Sequence, residues 1–211
     1  LTFEVELLDA GAPVTISSQL LNRQDEQTEY GRGDSVDPRR ATPLEGRVLI
    51  PGEHWQEGPL SALSYRVANS GMRVATMLHQ ELETAAPFEL ERSVGPDLAK
   101  DVFHVRAEPG QPVRLTKFVA YHTSDATPTR QLLDRCHRTL QRTVAEGPAT
   151  HHARQRDWLV DFWERSDVRI AHDDGLQQAI RWNLFQLAQA SARADGLGIP
   201  AKGVTGSGYS G

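Results

Sequence analysis

The stretch Arg169–Gly211 reads RIAHDDGLQQAIRWNLFQLAQASARADGLGIPAKGVTGSGYSG. Asp173 or Asp174 can cap a helix start, where the first backbone N–H groups lack partners. Leu176, Ile180, Leu184 and Leu187 follow at helical spacing on one face. Trp182 and Phe185 add apolar surface on another, and Gly196 suits the position just past the helix end. A helix apolar on more than one side is expected to lie buried between layers.

The loop that follows is dense in glycine. Gly198, Gly203, Gly206, Gly208 and Gly211 fall within fourteen residues, with Lys202, Thr205, Ser207 and Tyr209 between them. Such spacing lets backbone approach a ligand or turn sharply. Gly206, Gly208 and Gly211 spell G-x-G-x-x-G, but a dinucleotide fingerprint needs a strand before it, and here a helix and Pro200 precede. Ala201-Lys202-Gly203 lacks the G-K-[ST] order of a P-loop.

Arg181-Trp-Asn-Leu-Phe-Gln186, then Gly198-Ile-Pro-Ala-Lys-Gly203, then Thr205-Gly206-x-Gly208-Tyr209-x-Gly211, resemble glycoside hydrolase family 65. That family holds maltose, trehalose and kojibiose phosphorylases and related α-glucoside hydrolases. The resemblance implies that this helix opens an (α/α)6 barrel. It also implies that the loop leads into a His-x-x-Trp-Asp segment that helps hold the substrate glucose. Family members often carry Glu where this chain has Ser207. Val14–Asp25 and Lys117–Ser124 also look like family segments.

Composition bounds the rest. A chain of 211 residues is long enough for one large domain or one and a half. With 38% hydrophobic and 24% charged residues, it has an ordinary soluble balance. A net charge of −5 argues against a nucleic-acid surface. The single cysteine, Cys136, excludes an internal disulfide. No run approaches the roughly 18 apolar residues of a membrane span. With no signal peptide visible, a cytoplasmic setting is expected. The chain opens in mid-strand and closes in a glycine loop, which reads as a segment of a longer protein.

Leu1, Phe3, Val5 and Leu7 alternate with polar residues, as on a half-buried strand. Asp9-Ala-Gly11 turns into a second strand carrying Val14, Ile16 and Leu20. Residues 22–46 read as a long loop holding Arg32-Gly33-Asp34, an adhesion-type tripeptide that recurs easily by chance. Further strands are expected at 47–50, 63–68, 72–81, 88–91, 102–106 and 112–122, with a hairpin turn at Asn69-Ser-Gly71. Lys117 falls on an apolar strand face and must sit at a rim or be paired. The pattern indicates an antiparallel β-sandwich.

The period then changes. Thr127 and Pro128 read as N-cap and first helical residue, and Leu133, Cys136, Leu140 and Val144 form a helical stripe that ends at Gly147-Pro148. A second helix is expected over 151–165, with Trp158, Leu159, Phe162 and Trp163 on its apolar side. The expected organisation is an antiparallel β-sandwich, then linker helices, then the first helix of an (α/α)6 barrel. Its boundaries are part of an N-terminal sandwich domain at 1–122, a helical linker at 123–167 and the start of the barrel at 168–211. The order of sandwich, linker and barrel is the one that the family resemblance implies.

Few side chains form a catalytic pattern. Asp157, Asp161 and Glu164 share a helix face and could pair for acid–base work, but nearby arginines make a solvated, ion-paired face the better reading. His151 and His152 are adjacent and diverge on a helix, a poor metal pair. Cys136 reads as a core residue. Trp55, in a Pro51–Pro59 loop, and Tyr30 and Tyr65 are the aromatics that could stack on a sugar if the chain were a non-catalytic carbohydrate-binding or scaffold module. Burial of Trp55 against the sandwich is the simpler expectation.

The resemblance implies cleavage of an α-glucosidic bond in a disaccharide such as maltose, trehalose or kojibiose, with inversion. A barrel Glu protonates the leaving oxygen, and phosphate or an activated water attacks from the other face. It implies no cofactor, with inorganic phosphate as co-substrate in a phosphorylase, and no metal. Besides the disaccharide, the partners it implies are the remainder of the polypeptide and a second copy in a homodimer, with no nucleic acid and no membrane. No position here matches the general acid, so no catalytic residue is named. Lys202, Thr205 and Tyr209 are the candidate substrate-binding residues, because they can hydrogen-bond or stack on hydroxyl-bearing rings.

Overall fold

The computed structural model describes residues 1–22 and 47–191. Among these residues lie eight strands: β1 (Thr2–Val5), β2 (Ala12–Leu21), β3 (Leu49–Glu57), β4 (Leu60–Val67), β5 (Arg73–Glu83), β6 (Phe88–Val94), β7 (Leu98–Ala107) and β8 (Val113–Ser124). Three helices follow: α1 (Thr129–Glu146), α2 (Pro148–Ser166) and α3 (Asp174–Ser191). One compact unit holds the strands, α1 and the start of α2 to His152, and a second holds α2 from Ala153 and α3.

The strands form a five-stranded sheet, β1-β8-β5-β4-β3, and a three-stranded sheet, β2-β7-β6. Every pairing is antiparallel. Successive side chains on a strand point to opposite faces, so the larger sheet has two apolar faces to cover. One face carries Leu63, Tyr65, Leu78 and Leu115 and packs on Ile16, Leu20, Ala99 and Phe103 of the smaller sheet. The other face carries Ala62, Ala75, Met77, Phe118 and Ala120 and packs on Leu132, Leu133, Cys136 and Leu140 of α1. The layers therefore run α1, large sheet, small sheet.

Three local expectations are corrected. Residues 49–57 form a strand and not a loop, although Pro51 and Gly52 read as turn chemistry. β3 lies at the sheet edge, where a missing N–H is tolerated, and the register shifts between Pro51 and His54. Gly52 is required there, because a Cβ would come 2.8 Å from Ser64 Oγ, which donates to Glu53 O. The cap of α1 falls one residue later than expected, at Pro128, with no side-chain bond, because Ser124 Oγ already holds Thr127 N. The hairpin turn at Asn69-Ser-Gly71 forms as expected, with Gly71 at φ 70°.

The third correction concerns α3. The two-sided apolar pattern implied burial, yet among its residues only Ala188 is buried. Trp182 is 60% exposed and Leu187 59%. An apolar pattern states which side chains need cover, and no element among the described residues supplies it.

Candidate functional site

The residues that lead to the candidate loop are held by polar side chains of α3. Asp173 Oδ1 accepts the Leu176 N–H at 2.9 Å, which selects Asp173 as the cap over Asp174. Gln177 clamps the preceding link from both ends of its amide. Its Oε1 accepts from Ile170 N, and its Nε2 donates to Val168 O, each at 2.8 Å. Arg181 grips Asp167 as a two-pronged fork at 2.8 and 2.6 Å. The hydrogen bond from Arg181 holds the Asp167 carboxyl below its usual range, and the same bond raises Arg181. Between link and helix, His172 takes a left-handed backbone at φ 69°, where the chain reverses into α3. Arg181, first residue of the family-like motif, thus pins the helix and has no free fork for a ligand.

Beside these pins lies an open groove of about 710 Å³. Trp163, Trp182 and Phe185 wall it, and Gln177, Gln178 and Arg181 supply polar rims. The rings of Trp182 and Phe185 tilt at 6.2 Å between centroids. Chemically, the groove offers aromatic faces for another apolar surface.

Lys202, Thr205 and Tyr209 lie outside the described residues, as do Tyr30 and Arg32-Gly33-Asp34. The structure places the other candidates. Asp157 pairs with Arg156 and Asp161 with Arg165, all exposed, as a solvated face requires. His151 Nε2 lies 3.1 Å from Thr143 O and 3.5 Å from Glu146, and His152 is exposed. Among the described residues no group of three His, Cys, Asp or Glu side chains could hold a metal. Cys136 of α1 is buried against the larger sheet, with its Sγ at 3.4 Å from Ala75 O, and burial pushes the thiol up to about 11.

Trp55 and Tyr65, the sugar-stacking candidates among the described residues, do not form a platform. Trp55 is on β3, packed against the α1 core. Tyr65 is 4% exposed and donates its hydroxyl to Pro96 O at 3.1 Å. Sequence reading missed Gln177 and the Arg181–Asp167 fork. Their spacing, i and i+4 on one α3 face just after a short extended link, is the signal that could have found them.

The chain resembles known proteins along its whole length. Residues 1–162 match the model of glycosyl hydrolase family 65, N-terminal domain. An uncharacterized glycosyl hydrolase of Mycobacterium tuberculosis is 34% identical over 209 residues, 99% of this chain and 26% of that protein. An alpha,alpha-trehalose phosphorylase of Thermoanaerobacter brockii is 32% identical over 178 residues, 84% of this chain and 23% of that protein. The solved structure of a putative kojibiose phosphorylase from human microbiome overlays 90% of this chain and 22% of its own, with TM-score 0.68 and 14% identity, a likeness of fold. The chain thus spans about a quarter of the length of these relatives. Among the described residues no helix is long and apolar enough to cross a membrane. On the family match over residues 1–162, this chain belongs to glycosyl hydrolase family 65 and carries its N-terminal domain.

Proposed function

We propose that this chain is the N-terminal portion of an inverting enzyme that cleaves the α-glucosidic bond of a disaccharide such as maltose, trehalose or kojibiose. The observation that carries the reading is the family match over residues 1–162, joined to 32% identity with a trehalose phosphorylase over 84% of the chain. The sandwich at 1–122 and the linker at 123–167 then serve as scaffold, and 168–211 opens the (α/α)6 barrel with α3 as its first helix. The exposed Trp182, Leu176 and Leu187 support this, because a barrel helix needs neighbours on both sides.

Catalysis in this reading lies in the barrel. One Glu protonates the leaving oxygen while phosphate, as co-substrate, attacks the anomeric carbon from the opposite face. In a hydrolase a second carboxylate activates water instead. No residue here takes the acid's role, so the 211-residue chain alone turns over nothing. The chain's own contribution is the loop. Backbone at Gly203, Gly206 and Gly208 can come close to a sugar, with Lys202, Thr205 and Tyr209 hydrogen-bonding or stacking on glucose. The fold's task is to aim that loop, through the Asp173 cap, the Gln177 clamp and the Arg181–Asp167 fork.

The test is an assay of the intact enzyme on the three disaccharides, with and without phosphate. Phosphate-dependent turnover marks a phosphorylase, phosphate-independent turnover a hydrolase, and no turnover of any of them overturns the reading. Tyr209→Phe and Lys202→Ala test the loop. If both keep kcat/KM within about twofold, which is well under 1 kcal/mol of transition-state stabilisation, the loop is scaffold.

A further inference from the structure

Two apolar clusters fill the space between the sheets, and a polar layer separates them. One cluster holds Ile16, Phe103, Val105, Val113 and Leu115, and the other Leu20, Leu63, Tyr65, Leu78 and Ala99. Five strands share one pattern at this level, a polar residue two positions from an apolar one on each side. These are Ile16-x-Ser18-x-Leu20, Leu78-x-Gln80-x-Leu82, Leu90-x-Arg92-x-Val94, Ala99-x-Asp101-x-Phe103 and Leu115-x-Lys117-x-Val119. β2, β5 and β7 cross from cluster to cluster, and Leu90, Val94 and Val119 of β6 and β8 stay more than a third exposed.

Asp101 is the hub of this layer, 2% exposed. Its Oδ1 accepts from Gln56 Nε2 at 2.9 Å and Arg92 Nε at 3.0 Å, and its Oδ2 from Gln80 Nε2 at 2.8 Å and Arg92 Nη2 at 3.3 Å. Gln56 also donates to Ser61 Oγ at 3.1 Å. Arg92 continues across to the carbonyls of Gly58 and Leu60 in the larger sheet. Lys117 reaches the opposite way, from β8 to the Gln19 carbonyl of β2 at 2.6 Å.

That last bond falls on an open edge. Asn22 N donates to Asp97 O, so Asn22 and Asp97 form a hydrogen-bonded pair. Such pairs alternate along an antiparallel ladder, which turns the Gln19 and Pro13 backbone groups away from β7. Pro13 has no N–H to offer there, and the ammonium of Lys117 occupies the Gln19 carbonyl. The pairing of β2 with β7 is set by no turn, since 76 residues separate Leu21 from Leu98. Apolar contacts alone tolerate a two-residue slip of β2, because every second residue keeps its face. A charged hub does not tolerate it, because the slip sets Ile16 or Leu20, in place of Ser18, opposite Asp101.

We propose that the polar layer centred on Asp101 is an alignment key, which fixes the register of β2 against β7 and seals the β2 edge, rather than a source of stability. Buried ion pairs behave this way in general. Removing one partner leaves a charge stranded in the interior, whereas replacing the whole set by apolar residues of similar volume is often neutral.

The experiment uses the intact protein in a background with Cys136 and every other native cysteine replaced by Ala. Asp101→Leu alone takes the carboxylate partner from Arg92 and lowers Tm by about 10 °C. The combined variant Asp101→Leu, Arg92→Leu, Gln80→Leu and Lys117→Met unfolds cooperatively within a few degrees of the parent. Register is read with cysteine pairs. Gln19→Cys with Lys100→Cys can close a disulfide in the native register, whereas Gln19→Cys with Val102→Cys or Leu98→Cys can close only after a two-residue slip. The parent closes only the native pair, and the combined variant also closes a slipped one. If the combined variant closes only the native pair, alignment is set elsewhere and the proposal fails. If the combined variant does not fold, the layer supplies stability and the proposal fails equally.

Discussion

Leu140 and Trp182 both sit on an apolar side of an amphipathic helix, and their surroundings differ. Leu140 of α1 is buried among Met77, Phe118, Ala120 and Cys136. Trp182 of α3 borders an open groove. The sandwich unit provides both partners of each contact from within the described residues. The unit of α2 and α3 orders its backbone with caps and polar clamps but leaves its aromatic surface uncovered. The difference teaches that a helix can be held in place by polar pins while most of the apolar area that would stabilise it still awaits a neighbour.

The largest effect sharpens that contrast directly. Leu140→Ala is expected to destabilise the protein by about 3 kcal/mol in denaturant unfolding, through lost transfer energy and the cavity left behind. Trp182→Ala in the 211-residue chain is expected to change stability by no more than about 0.5 kcal/mol, as at an ordinary surface position. In the intact enzyme the same substitution is expected to cost about 3 kcal/mol, because in the proposed barrel neighbouring helices cover the indole. Equal costs for Trp182→Ala in the two forms would break the comparison.

Alkaline pH also separates the units, because the two groups pushed furthest upward both belong to the sandwich. Burial, reinforced by the Asp97 charge, pushes the Tyr65 hydroxyl from 10.0 up to about 12. Burial pushes the Cys136 thiol from 9.0 up to about 11. In both cases the folded value exceeds the unfolded one, so folding favours the protonated form. The stability this contributes is complete below pH 9 and is lost as pH rises, through Cys136 from 9.0 to about 11 and Tyr65 from 10.0 to about 12. Unfolding midpoints measured across that range are expected to fall less steeply in Cys136→Ala at the lower end and in Tyr65→Phe at the upper end. Native Cys136 is expected to resist a thiol reagent at neutral pH until the protein is unfolded, since the thiolate is the reactive form.

The smallest effect probes the pins. Asp173→Ala removes the acceptor for the Leu176 N–H and is expected to cost α3 about 1 kcal/mol. Amide exchange of the first α3 turn is expected to speed up, with exchange in β5 and β8 unchanged.

How much of this was legible in the sequence varies with the physics. β2 was readable because Ile16, Ser18 and Leu20 face the core while the residues between them are exposed, and β5 and β8 because they are long runs rich in apolar and β-branched residues. β3 was not, because Pro51 and Gly52 carry turn chemistry and only the edge position and Ser64 reveal why they fit a strand. Lys117 read as a cation at a rim or paired, but Asp101, Arg92 and Gln80 were not joined to its layer, since their meeting depends on how two sheets are stacked. The apolar sides of α3 were legible and their burial was not, because periodicity fixes a helix face and says nothing of what lies against it. The candidate residues Lys202, Thr205 and Tyr209 were legible only through the family resemblance, since a glycine-dense loop has no period to read.

The central claim is that this sandwich and its helices serve an enzyme that inverts an α-glucosidic linkage. The most direct measurement is the anomeric configuration of the glucose product released by the intact enzyme from maltose, trehalose or kojibiose, followed by NMR before mutarotation. The account expects β-configured product, as β-glucose 1-phosphate when phosphate is the attacking group or β-glucose when water is, and no product from the 211-residue chain alone. The leaving glucose of trehalose keeps its α configuration, so the configuration is read on the glucosyl unit whose bond is cleaved; an α-configured product there, or turnover by the 211-residue chain, would contradict it.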